Sequence, residues 1–221
     1  MPVPKPSTAE RNRRRSIEAR AIEMLERYDC PMPYHAVCTH FLGAMSGVAP
    51  VQPMKVLARI WDGKLPAFAS IEAVNELLEA LINGLWNELT VHQDEKQPYR
   101  LMKFPAGVTR ASLACLAETR AEEIDGFLTG VFGDQENIEV PEPMGASLGT
   151  LMELVENFAR MQALLEDPEN PASAEVFEGL KKQFVVLTNF AEQQLHAVIV
   201  GARILREQEG AMEEKTGWAV H

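Results

Sequence analysis

Apolar residues recur along this chain at steps of three and four almost throughout, the spacing of one face of an α-helix. Ile17, Ala21, Met24, Leu25 and Tyr28 open the series, and Ser7 with Glu10 has capping-box spacing ahead of them. Cys30-Pro31-Met32-Pro33 interrupts the pattern. Pro33 sits where a first helical turn accepts proline, and Tyr34, Val37, Cys38, Phe41, Leu42 and Met45 form a second stripe. Pro53 opens a short third helix with Met54, Leu57, Ile60 and Trp61 inward, closed by Asp62-Gly63. Ser70 caps a fourth, which buries Val74, Leu77, Leu78, Leu81, Ile82, Leu85 and Leu89.

Residues 92–108 are polar and hold Pro98, Pro105 and Gly107, so they read as a linker. Thr109 caps a helix carrying Leu113, Leu116, Ile124, Phe127, Leu128 and Val131. An acidic, proline-containing loop is expected at 133–145. Leu151, Leu154, Val155, Phe158 and Leu165 mark the next helix, and 167–171 a turn. The last helix is expected over 173–209, with Phe177, Leu180, Phe184, Leu187, Ala191, Leu195, Val198, Ala202 and Leu205 inward. At 1.5 Å per residue it would span about 55 Å, longer than a compact domain of this size is wide. It should therefore kink or carry an apolar stripe onto a second subunit. The best strand candidate, 183–187, lies inside this helical pattern.

The pattern predicts an all-α protein: an orthogonal bundle of about seven helices with a long C-terminal helix. Halves 17–91 and 109–210 share one core within a single domain, 17–210. A flexible Pro/Arg-rich segment, 1–16, and a flexible tail, 211–221, flank it.

One seven-residue cassette appears twice. Phe41-Leu42-Gly43-Ala44-Met45-Ser46-Gly47 and Phe127-Leu128-Thr129-Gly130-Val131-Phe132-Gly133 share Phe, Leu and a closing Gly. Phe-Leu supplies core bulk, the small residues let another backbone approach, and the closing Gly can take the left-handed conformation that ends a helix. The Gly126-x3-Gly130 spacing signals tight helix packing.

Charge divides the chain. Residues 1–110 carry a balance of +2 and residues 111–221 one of −13, within a net −11. An acidic half disfavours nucleic acid and anionic membrane as partners, because phosphate binding needs clustered cations. Arg11, Arg13, Arg14 and Arg15 are the one basic cluster, read as a solvated helical turn. No apolar run approaches the roughly 20 residues of a membrane span. No secretory signal is evident, and three cysteines fit a reduced, cytoplasmic protein better than a disulfide framework.

Candidate chemistry is sparse. Cys30, His35, Cys38 and His40 are all potential zinc ligands, but His35 and Cys38 share a helix face that His40 leaves. Cys38 also falls on the apolar stripe, so a packing cysteine with partly exposed histidines is the simpler reading. Glu118, Glu122 and Asp125 form an acidic face before the second cassette, read as solvated. Glu192 and His196 read as a surface pair. Phosphate-loop, dinucleotide and nucleophile-elbow motifs are absent from the sequence, and no cofactor is implied.

The cassettes and their surroundings resemble the YgfB/YecA family of small bacterial proteins. The first matches at Thr39-His40-Phe41-Leu42-Gly43-Ala44, followed by Pro53 and the run to Trp61. The second matches at Asp125-Gly126-Phe127-Leu128-Thr129-Gly130. The likeness covers roughly 33–205. Thr39-His40 replaces the family's usual His-Gly, and residues 206–221 lack the Cys-rich zinc motif of some members. The resemblance implies an all-helical fold, a tendency to dimerise and no catalytic residues. The resulting expectation is a non-enzymatic cytoplasmic interaction or regulatory module, a homodimer whose acidic half attracts a basic protein partner. The rival expectation is a metal-binding protein or metal-dependent hydrolase using the Cys30–His40 cluster or the Glu118–Asp125 carboxylates.

Overall fold

A computed structural model describes residues 7–47, 52–104, 109–133, 140–169 and 174–217, with backbone alone at 143, 174 and 209–217. It is all-α, with no strand among the described residues. Among the described residues seven helices follow in order: α1 (Thr8–Arg27), α2 (Tyr34–Met45), α3 (Pro53–Arg59), α4 (beginning Ile71–Leu78), α5 (Arg110–Phe132), α6 (Glu142–Glu166) and α7 (Ala174–Gly217).

The caps follow the sequence chemistry. Ser7 Oγ accepts from the Glu10 amide at 3.2 Å, Ser70 Oγ from Ala73, and Thr109 shares a reciprocal box with Ser112. Because Ser7 nucleates α1, residues 8–16 are its opening turns and not a flexible terminus. Residues 1–6 lie outside the described residues. α6 likewise begins inside the expected 133–145 loop, since Pro141 stands at its N-cap; residues 134–139 are outside the description.

The two cassettes form one contact. α2 and α5 cross so closely that a Cβ on Gly43 would lie 2.0 Å from the Phe127 carbonyl oxygen. One on Gly126 would lie 2.7 Å from the Ala36 oxygen. Phe41, Leu42, Phe127 and Leu128 are buried around this crossing. Gly133 ends α5 at φ +55° and ψ −130°, a positive-φ conformation that glycine adopts readily but not the left-handed helical one expected. Gly47 has no positive φ: among the described glycines only Gly63 and Gly133 do. Gly47 serves instead for approach, a Cβ there falling 3.3 Å from the Val131 oxygen.

α4 departs from regular helix. After Leu78 it widens into a π-helical stretch, Glu79–Trp86, then closes through Asn87–Leu89 and a 3₁₀ turn, Thr90–Gln93. Leu77, Leu81, Leu85 and Leu89 are all buried. Four residues of α-helix overshoot a turn by about 40°, so three such steps would carry Leu89 about 120° from Leu77. The wider π turns take back that drift and hold the leucines on one face.

α7 runs unbroken over 44 residues, about 66 Å at 1.5 Å per residue. It continues past the expected end at 209 as far as Gly217. Phe184, Ala191, Leu195, Val198 and Ala202 are buried. Phe177, Leu180, Leu187 and Leu205 are half-buried against the same core. Phe184 stacks on Phe158 of α6 with centroids 5.8 Å apart. Arg110, at the start of α5, donates to the carbonyls of Leu165 (3.2 Å) and Asp167 (2.7 Å), groups that the end of α6 leaves unpaired.

Candidate functional site

The most constructed polar region is built around the segment expected to be a mere linker. Tyr99–Lys103 forms a strap across the face of α5 and α7. The Met102 amide donates to Glu123 Oε1 at 2.7 Å, and Arg120 Nη2 donates to the Met102 carbonyl at 2.6 Å. Arg120 also pairs with Glu123 and donates through Nε to Thr188 Oγ1 at 3.1 Å. Glu192 accepts from the Leu101 amide at 3.1 Å and pairs with Arg100. The strap has no ladder partner of its own, so buried carboxylates and a guanidinium take the place of one.

Arg120 and Glu123 are both buried, Glu123 at 0% exposure. Sequence reasoning passed over this pair, though a signal was present: Arg120 stands in the apolar register of α5, between Ala117 and Ile124. Glu192 and His196 do not form the expected surface pair. Glu192 is buried and turned to the strap, and His196 Nδ1 is a buried atom with no hydrogen-bond partner.

Between α1, α2, the end of α4 and the strap lies a cavity of about 460 Å³. His35 and Cys38 both line it, as their one-turn spacing predicts. Tyr34 and Tyr99 line it with Cys38, and burial pushes the Cys38 thiol up to about 12. His35 Nε2 meets Glu122 Oε2 of α5 at 2.7 Å. The remaining members of the Cys30–His40 cluster are elsewhere. The Cys30 thiol donates to the Ile60 carbonyl at 3.2 Å.

His40, expected partly exposed, is 2% exposed inside the helix crossing. Its Nδ1 meets Thr129 Oγ1 at 3.3 Å, while its Nε2 has no hydrogen-bond partner. Burial, with the nearby Arg59 cation, lowers its pKa to about 4. Glu118 and Asp125 are exposed, and Glu122 is turned to His35. Among the described residues, no three His, Cys, Asp or Glu side chains are grouped to hold a metal ion.

The motif residues outside the crossing are structural in position. Pro53 opens α3, and Trp61 Nε1 donates to the Tyr28 carbonyl at 3.0 Å, tying α3 to the end of α1. Among the described residues no helix is long and apolar enough to cross a membrane.

Comparison with known proteins finds no match among protein-family models, curated proteins or solved structures.

Proposed function

We propose that this chain is a non-enzymatic protein-interaction or regulatory module that works as a homodimer through α7. One observation carries the reading: the outward face of α7 is apolar at heptad spacing. Val186 is 65% exposed, Phe190 41% and Ile204 42%, and Ala197 is also exposed. Phe190, Ala197 and Ile204 are seven apart, the repeat that keeps one seam facing a partner helix. A two-fold axis at Ala197 sets Phe190 of one copy against Ile204 of the other, in antiparallel register.

Gly201, on the same face, supports this. A helix-interior glycine costs about 1 kcal/mol relative to alanine, and nothing in the protomer lies within 4 Å of a Cβ built there. A second helix passing close by gives that glycine a reason.

The resemblance to the YgfB/YecA family belongs to the same proposal, since it carries an expectation of an all-helical dimer. A cytoplasmic setting accords with three free cysteines. The acidic second half favours a basic protein as the regulated partner, by charge complementarity across the contact.

Sedimentation velocity at micromolar concentration tests the core of the reading. The wild-type chain is expected to sediment as a dimer, and Phe190→Glu with Ile204→Glu as a folded monomer. A wild-type monomer at all concentrations overturns the proposal. Charge reversal of Glu118, Glu122 and Asp125 is expected to reduce recovery of a basic partner; unchanged recovery removes the electrostatic component.

A further inference from the structure

The cavity beneath the strap becomes less polar with depth. The buried residues that line it are Cys38 of α2, Leu85 and Leu89 at the end of α4, and Leu101 of the strap, and all four are apolar. A buried thiol packs as a small hydrophobe, so Cys38 belongs with the leucines. Half-buried Ile17 of α1 and the rings of Tyr34 and Tyr99 extend this lining outward. His92 also lines the space. It packs edge-on against Tyr99 with centroids 5.2 Å apart, and its Nδ1 meets the Gln97 carbonyl at 2.8 Å.

The charges around this interior are mostly engaged with one another. Arg14 lies 2.7 Å from Glu88, His35 lies 2.7 Å from Glu122, and Arg100 pairs with Glu192. Two charged side chains of the lining form no ion pair among the described residues, Glu18 and Lys103. Both are exposed, and they are opposite in sign.

The rim therefore offers no net counter-charge, while the depth offers apolar contact. An ion carried below the rim would lose its hydration and find no partner there, a cost that an uncharged body does not meet. Three rings in the lining favour an aromatic body, since ring pairs attract beyond the area they bury. A volume of about 460 Å³ falls within the range of pockets that enclose small organic ligands.

We propose that this cavity binds a small uncharged apolar molecule, the bicyclic aromatic class above all, held against Ile17, Leu85, Leu89 and Leu101 and the rings of Tyr34 and Tyr99. The proposal is independent of α7 and of dimerisation. It gives the module a ligand-responsive element, because the strap that brings Tyr99 and Leu101 to the cavity is the segment pinned to Glu123 and Glu192.

Isothermal titration of the full chain with three probes of one ring system tests it: 1-naphthylmethanol, the anion 1-naphthoate and the cation 1-naphthylmethylammonium. The alcohol is expected to bind at one saturable site per protomer, with each ion at least about tenfold weaker, a difference of about 1.4 kcal/mol. Ile17→Trp fills part of the space and is expected to weaken the alcohol by about tenfold. Methyl resonances of the wild-type chain locate the site even where that variant fails to fold. Those of Ile17, Leu85, Leu89 and Leu101 are expected to shift as the alcohol is added, and those of Val186 and Ile204 on α7 to stay in place. The proposal is overturned by absence of saturable binding of the alcohol, by either ion binding as tightly as the alcohol, by unchanged affinity in folded Ile17→Trp, or by methyl shifts confined to α7.

Discussion

Gly130 faces His40 across the α2–α5 crossing so closely that a methyl group on Gly130 would lie 2.2 Å from the His40 carbonyl oxygen. No side-chain adjustment relieves such a contact, because both parties are backbone. Gly130→Ala and Gly43→Ala are each expected to destabilise the protein by about 3 kcal/mol, the upper end of the usual cost of overpacking. Gly201→Ala is the contrast: with open space around it, the protomer is expected to gain about 0.5–1 kcal/mol. Denaturant unfolding of the three variants checks both signs. Sedimentation of Gly201→Ala then reports whether the α7 seam tolerates the added methyl.

The buried Arg120–Glu123 pair makes a second prediction. Truncating one partner leaves the other charge buried and alone, so Arg120→Ala is expected to cost about 3–5 kcal/mol. It also removes the donor to the Met102 carbonyl, freeing the strap. Hydrogen exchange at the Met102 amide should accelerate far more than exchange at the Phe184 amide in mid-α7. Equal acceleration at both would mean global unfolding instead of a released strap.

His40 sets a pH dependence. Its folded pKa, lowered to about 4, lies below the unfolded value near 6.5, so the unfolded chain binds more protons between those values. Stability from this group is complete above pH 6.5 and is lost as pH falls toward 4. Between pH 7.5 and pH 5 the loss is about 2 kcal/mol. Paired urea titrations of wild type and His40→Asn at the two pH values isolate it: the variant should lack that portion of the acid sensitivity. An identical pH response in the two proteins would contradict this.

The cysteines should separate by accessibility. Cys115 is exposed and Cys38 buried. Burial pushes the Cys30 thiol up to about 11 and that of Cys38 up to about 12. The thiolate is the reactive species. At neutral pH a disulfide reagent is expected to titrate one thiol per chain promptly, and all three after denaturation. Cys115→Ser should abolish the prompt phase.

The fold was largely legible in the sequence, because burial on one face writes a three-four period that Ser70, Thr109 and Asp62-Gly63 then punctuate. The apolar stripe of α7 came out almost residue for residue. Three things were hidden. The π-helical stretch leaves no mark in helical spacing beyond its strict four-residue leucine run. The mutual packing of the cassettes depends on contacts nearly ninety positions apart, which local periodicity does not record. The strap was missed because its backbone is satisfied by side chains from α5 and α7; polar residues in a proline-containing stretch resemble any solvated connection. The candidate site suffered most from this last point. His35 and Cys38 were visible as neighbours on a face, but Tyr99, Arg100 and Lys103 join them around one cavity only through the path of the strap.

The separation of the cassettes also bears on synthesis of the chain. Phe41 and Leu42 leave the ribosome long before Phe127 and Gly130 exist. At about 5–20 residues per second, that interval lasts about 4–18 seconds. Throughout it, the apolar face of α2 is made without the helix that covers it in the finished fold.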